Sequence, residues 1–119
     1  MADVVLSLLV LKTRQVDALR KMYGALGIPL AEEKHGQGPV HFAGRVGDAV
    51  FEIYPLPEDD TVVDATTRLG FVVSGLTKIV KTLEKLGTPI ITKPSATERG
   101  MRAIVRDPDG RAVELHERA

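Results

Sequence analysis

The chain has 119 residues, the length of one ordinary domain, and no cysteine, so it offers neither disulfides nor thiolate chemistry. Its 16 basic and 16 acidic side chains cancel, no stretch is strongly basic, and tryptophan is absent, which argues against a nucleic-acid partner. The longest early apolar run, residues 4–11, is too short to span a membrane, follows Asp3 and not a basic segment, and precedes no small-residue cleavage site; a cytoplasmic protein without a membrane partner is expected.

That run, VVLSLLVL, reads as a buried strand. Thr13 is placed to cap a helix on which Val16, Leu19, Tyr23 and Leu26 recur at spacings of three, four and three, one apolar stripe. Gly27 stops the helix and Pro29 follows it. LAEEKH, VHFAGRV and AVFEIYP then read as three strands of a meander joined by the turns GQGP and GD. The order repeats from RLGFVV at 68–73, a strand with Ser74 as the next cap. Leu76, Ile79, Leu83 and Leu86 each stand 60 positions after Val16, Leu19, Tyr23 and Leu26. Leu26-Gly27 recurs as Leu86-Gly87, and Pro29 as Pro89. TPIITKP, MRAIVR and RAVELH follow as strands, with DPDG at 107–110 as a hairpin turn. Phe51-Glu52-Ile53 matches Val113-Glu114-Leu115 at an offset of 62. The expected fold is α+β: two tandem βαβββ modules, residues 1–55 and 68–119, in a single domain spanning 1–119. The linker at 56–67 is polar at its start and too short to separate independent domains.

Two carboxylates, Glu52 and Glu114, interrupt apolar strands, where an unpartnered buried charge is expensive. Alternation places Phe51 and Ile53 on one face and Val50, Glu52 and Tyr54 on the other. Likewise Val113 and Leu115 oppose Ala112, Glu114 and His116, and Leu69, Phe71 and Val73 oppose Arg68, Gly70 and Val72. In the first strand the expectation is that Leu6, Leu8 and Val10 lie under the helix and Val5, Ser7, Leu9 and Leu11 opposite. One helix covers one face of each module's sheet. The mixed rows therefore face either solvent or a cleft, and their half-apolar, half-ionisable character favours a cleft. His41, between Val40 and Phe42, is expected on the cleft side, and His35 as a solvated residue beside a turn. GQGP lacks the helix that phosphate-binding glycine loops need, and DPDG lacks the acidic spacing of a calcium loop.

Paired modules of this kind, YGALGI closing the first helix, FEIYP ending the first module and VRDPDGRAVEL ending the second resemble the vicinal oxygen chelate superfamily. The group includes glyoxalase I, extradiol dioxygenases, fosfomycin-resistance proteins and bleomycin-binding proteins. The resemblance covers nearly the whole chain and implies a cup-like mixed-sheet half-barrel with helices outside, commonly in a homodimer. In metalloenzymes of that superfamily, four positions on the first and last strands of the modules hold one divalent ion. Carried over here they fall on Ser7, Glu52, Arg68 and Glu114. Two carboxylates, a hydroxyl and a guanidinium without a free lone pair make a poor donor set, so no metal or other cofactor is expected.

The expected function is binding of a small polar or anionic molecule in the concave cleft. Leu9, Leu11, Val50 and Tyr54 would supply apolar wall, and Ser7, Arg68, His41 and His116 polar contacts. Arg68 is expected to neutralise both glutamates. The alternative is a metal-dependent glyoxalase-type lyase or isomerase with Glu52 and Glu114 as ligands and His41 as a substitute donor. Metal-free proton transfer, with Glu52 or Glu114 as catalytic base and Arg68 stabilising an anion, also stays open.

Overall fold

In a computed structural model describing residues 3–59 and 62–118, the first module runs β1 (Leu8–Thr13), α1 (Val16–Ala25), β2 (Ala31–Glu33), β3 (His41–Val46) and β4 (Ala49–Pro55). The second runs β5 (Leu69–Val73), α2 (Leu76–Lys85), β6 (Ile90–Thr97), β7 (Gly100–Arg106) and β8 (Ala112–Glu117). Asp60 and Thr61 of the expected linker, and Met1, Ala2 and Ala119 at the module ends, lie outside the described residues. The strands form two open four-stranded sheets of one topology, β1-β4-β3-β2 and β5-β8-β7-β6. The pairs β1/β4 and β5/β8 are parallel and the others antiparallel. No helix among the described residues is long and apolar enough to cross a membrane.

The repeat survives in three dimensions. The helices begin at Val16 and Leu76 and end at Ala25 and Lys85, so both ends keep the 60-residue offset. Each stops because a glycine, Gly27 (φ 110°) or Gly87 (φ 82°), takes a positive φ that a Cβ disfavours. The helix starts differ. Gln15, not Thr13, is the N-cap of α1; Thr13 Oγ1 accepts from the Gln15 amide at 2.9 Å in the turn just ahead of the helix. Ser74 does not cap α2: the Glu117 carboxylate, from the end of β8, accepts from the Gly75 and Leu76 amides at 3.0 and 2.9 Å. A carboxylate there meets both the free amides and the positive end of the helix dipole.

Both helices lie on one side of their sheets and share a single core. Leu19, Met22 and Tyr23 of α1 and Leu76, Ile79, Val80 and Leu83 of α2 are buried with Phe51, Ile53, Val113 and Leu115 of the strands. Full burial of each such side chain contributes about 1.5–3 kcal/mol. The Tyr23 ring packs on Phe51 at 5.1 Å and on Phe71 of the second module at 6.0 Å.

The DPDG turn does more than reverse the chain. Asp107 Oδ1 accepts from the amides of Asp109 and Arg111, which shapes the turn. Asp107 Oδ2 accepts from the Tyr23 hydroxyl at 2.7 Å and from Arg111 Nη1 at 3.0 Å. Arg111, only 1% exposed, also donates to Asp109 and to the Lys12 carbonyl of β1. Burial, and then the Asp107 charge, push the Tyr23 hydroxyl pKa up, so it remains a neutral donor. This buried ionic cluster bolts the second module's turn onto α1 and β1 of the first.

One expectation is reversed. Leu11 and Thr13 of β1 are buried and Leu9 packs against the core, whereas Leu8 and Val10 are exposed. Parallel register sets this phase: Val10 stands beside Glu52 and Leu8 beside Val50, on the face away from the helices. Ser7 and Leu9 therefore share the helix-side phase of β1 and not the Glu52 face.

Candidate functional site

The helix-free face of the second sheet carries a compact charged group. β8 places Glu114 between Gly70 of β5 and Ile104 of β7. Arg68, just before β5, reaches it twice, Nη2 to Oε1 at 3.2 Å and Nε to Oε2 at 3.3 Å. Arg102 of β7 approaches Oε1 from the other side at 3.5 Å. His116 lies one pleat along, opposite both Val72 and Arg102. The hydrogen bond from Arg68, with the nearby charges, holds the Glu114 pKa below its ordinary value despite partial burial. One carboxylate faces two guanidinium groups, so this half of the face keeps a surplus positive charge. Gly70 contributes no side chain, and a Cβ built there meets nothing within 4 Å, which leaves open space beside Glu114.

The equivalent face of the first sheet is built differently. Glu52 lies between Val10 of β1 and Ala43 of β3. Its nearest imidazole nitrogen is His41 Nε2, at 3.8 Å. Arg68 thus meets Glu114, and Glu52, in the other sheet, has an imidazole as its neighbour. His41 occupies the cleft-side phase expected of it but is buried, with the Tyr54 ring stacked on it at 4.0 Å and an interplanar angle of 9°. Burial, followed by the charges of Glu52 and Glu33, raises the Tyr54 pKa. Glu33 of β2, directly across from His41 in the ladder, completes the group with His35.

Ser7 is joined to this region only through its carbonyl, which accepts from the Val50 amide at 2.9 Å. The first-module counterpart of Arg68, 60 positions earlier, is Leu8, exposed beside Val50. Leu9 lines a groove of about 440 Å³ at the module junction, together with Leu6, Val50, Phe51, Arg68 and Phe71. A larger groove of about 800 Å³ runs between the first turns of α1 and the C-terminal end of α2, bordered by Lys21, Lys85 and Arg106. It contains none of the strand residues discussed above. Arg102 and Glu33 are site neighbours that the sequence reading missed. Arg102 alternates with the apolar Ala103 and Val105, a signal that it points away from the core.

Of the four positions at which the resemblance would seat a divalent ion, the repeat and the register leave Leu8, Glu52, Arg68 and Glu114. An aliphatic side chain and a guanidinium supply no donor, and Glu114 is already bonded to Arg68. These residues do not fit a metal at those positions.

Comparison with known proteins agrees with this architecture. No curated protein matches the sequence. Among solved structures, TnmS3, an antibiotic binding protein from Streptomyces sp. CB03234, superposes with a TM-score of 0.70 at 20% identity, covering 100% of this chain and 99% of that one. A glyoxalase/bleomycin resistance protein/dioxygenase family enzyme from Burkholderia phytofirmans PsJN gives 0.70 at 17% identity, over 93% and 96%. Oxidase ChaP-H2 gives 0.76 at 14% identity, over 99% and 96%. At such identities these likenesses speak for the fold alone. The sequence profile of the Glyoxalase/Bleomycin resistance protein/Dioxygenase superfamily matches residues 6–115, and the chain belongs to that superfamily.

Proposed function

We propose that the protein binds a small anionic molecule on the helix-free face of its second sheet, without a metal at the superfamily's four positions. The observation that carries this reading is the convergence of Arg68 and Arg102 on the single carboxylate of Glu114. An anionic group on the ligand would engage the guanidinium charge that Glu114 leaves over. Val72, Ile104 and the space above Gly70 would take its apolar part, and His116 would border it. An antibiotic-binding relative of this fold fits a role in holding a small molecule, and turnover is not required by it.

We further propose that a second copy of the chain closes the cleft. Leu8 and Val10 of β1 and Val72 of β5 are exposed on the helix-free faces of the two sheets, 52%, 36% and 57% open, and a second copy would take this apolar surface out of water. The metal-dependent lyase reading, with Glu52 and Glu114 as ligands, is disfavoured by the donor set described above.

A panel of aromatic mono- and dicarboxylates, read by thermal shift and calorimetry, tests the binding reading. At least one is expected to stabilise the protein, and Arg68→Ala is expected to weaken that binding at least about tenfold. Equal affinity in the variant would overturn the assignment. Sedimentation of wild type against Val72→Asp tests the assembly: a dimer that the substitution dissociates is expected, and a wild-type monomer contradicts it.

A further inference from the structure

We infer that Glu33, His35 and His41 form a binding site for a divalent cation of the zinc class on the first module, with Glu52 beside it. This site is separate from the superfamily's four positions, adjoins them only at Glu52, and is independent of the anion reading above.

The decisive residue is His41. It is 1% exposed, and its Nε2 is a buried polar atom with no hydrogen-bond partner. An unsatisfied buried nitrogen is costly and calls for an explanation. Its other ring nitrogen, Nδ1, lies 3.1 Å from the Pro39 carbonyl. A carbonyl can only accept, so Nδ1 carries the proton of that bond. In the neutral ring Nε2 then keeps a lone pair beside Glu33 Oε1, 3.3 Å away, and Glu52 Oε2, 3.8 Å away, and makes a hydrogen bond to neither. A lone pair facing two carboxylate oxygens is repelled, and a cation between them turns each repulsion into a bond. Fixing one imidazole nitrogen on a backbone carbonyl so that the other faces the ion is the usual outer support of a histidine ligand. The stacked Tyr54 ring holds the plane of the imidazole.

The remaining spacing fits. His35 Nε2 also lies 3.3 Å from Glu33 Oε1, and one ligand atom from each of Glu33, His35 and His41 falls within 4.8 Å of the others. Bonds of about 2.0–2.1 Å from a tetrahedral zinc put neighbouring donors about 3.4 Å apart. Two imidazoles with one or two carboxylates suit zinc and its transition-metal neighbours better than magnesium or calcium, which prefer all-oxygen shells. The scaffold is rigid where it needs to be: Glu33 and His41 are ladder partners, and Glu52 is on the adjoining strand. His35, on the short connection between β2 and β3, is exposed and gives the ion a way in.

The test uses the full chain without a histidine tag, stripped with chelator and then titrated with Zn²⁺ in competition with a chromophoric chelator. One ion per chain is expected, with a rise in melting temperature at saturation. His35→Ala and Glu33→Gln, both at partly open positions, are each expected to weaken zinc binding by at least about tenfold. Arg68→Ala is expected to leave it unchanged, although it weakens anion binding, so the two readings fail separately. Co²⁺ in place of zinc is expected to give the visible absorption of a four-coordinate site in wild type and to lose it in His35→Ala. Zinc binding that survives the Glu33→Gln/His35→Ala double variant, or that is absent from the wild type, overturns the inference.

Discussion

The two modules share a backbone plan and diverge in what they do with it. Glu52 and Glu114 occupy matching places on β4 and β8, beside Val10 of β1 and Gly70 of β5, which are themselves 60 positions apart. Around Glu114 gather two guanidinium groups; beside Glu52 stands the His41 imidazole, which in turn meets the Glu33 carboxylate. On the readings proposed above, the first half of the face would take a cation and the second an anion. Both modules keep the strand phase that brings a carboxylate to the open face, and they differ in the neighbours that meet it.

The two helices teach the same lesson on a structural scale. Glu117 caps α2, and its counterpart 62 positions earlier is Pro55, which has no carboxylate to offer. Thr13 holds the turn ahead of α1 through the Gln15 amide, and its counterpart 60 positions later is the apolar Val73. The chain enters each helix through a different side chain on a different strand.

The largest expected effect concerns what joins the halves. Arg111→Met removes the cation from the cluster of Asp107, Asp109 and the Tyr23 hydroxyl, leaving buried carboxylates uncompensated. A loss of about 3–5 kcal/mol in urea unfolding is expected. Next comes a pair of glycines. A Cβ at Gly44 of β3 would stand 2.8 Å from the Pro29 carbonyl oxygen, a backbone atom, whereas Gly70 of β5 has open space. Gly44→Ala is expected to cost about 1–3 kcal/mol and Gly70→Ala less than about 0.5 kcal/mol. Equal effects would erase the contrast between the two faces.

Smaller effects refine it. Glu117→Ala is expected to cost about 1 kcal/mol through the lost cap, read by thermal unfolding. The pH response is smaller still. The Glu114 pKa is lowered in the folded state, so its contribution to stability is complete above the ordinary value of 4.5. That contribution is lost as pH falls below 4.5 through the lowered value. Arg68→Ala is expected to raise the Glu114 pKa toward 4.5, measured by carboxyl NMR titration. An unchanged Glu114 titration would mean that Arg68 does not hold this carboxylate.

The order of elements is legible in the sequence because the helical stripe, its terminating glycine and the following proline recur at one spacing. The phase of β4 and β8 is legible because each interrupts an apolar row with a charge, and that of β5 because Arg68 stands just before its apolar alternation. The phase of β1 is not: residues 4–11 are apolar on both faces, broken only by Ser7, so alternation carries no information and register with β4 decides. Arg102 and Glu33 escape notice because their places depend on which strand residues face one another across β7/β8 and β2/β3. The Arg111 cluster escapes because DPDG reads the same whether the turn is solvated or lies against a helix of the other module.

Chemical-shift mapping of the backbone amides during titration with an aromatic dicarboxylate such as phthalate tests the division of the face most directly. The account predicts shifts centred on Arg68, Gly70, Arg102, Ile104 and Glu114, abolished together by replacing both arginines. Shifts gathered instead along the groove between the helices, at Lys21, Lys85 and Arg106, would contradict it.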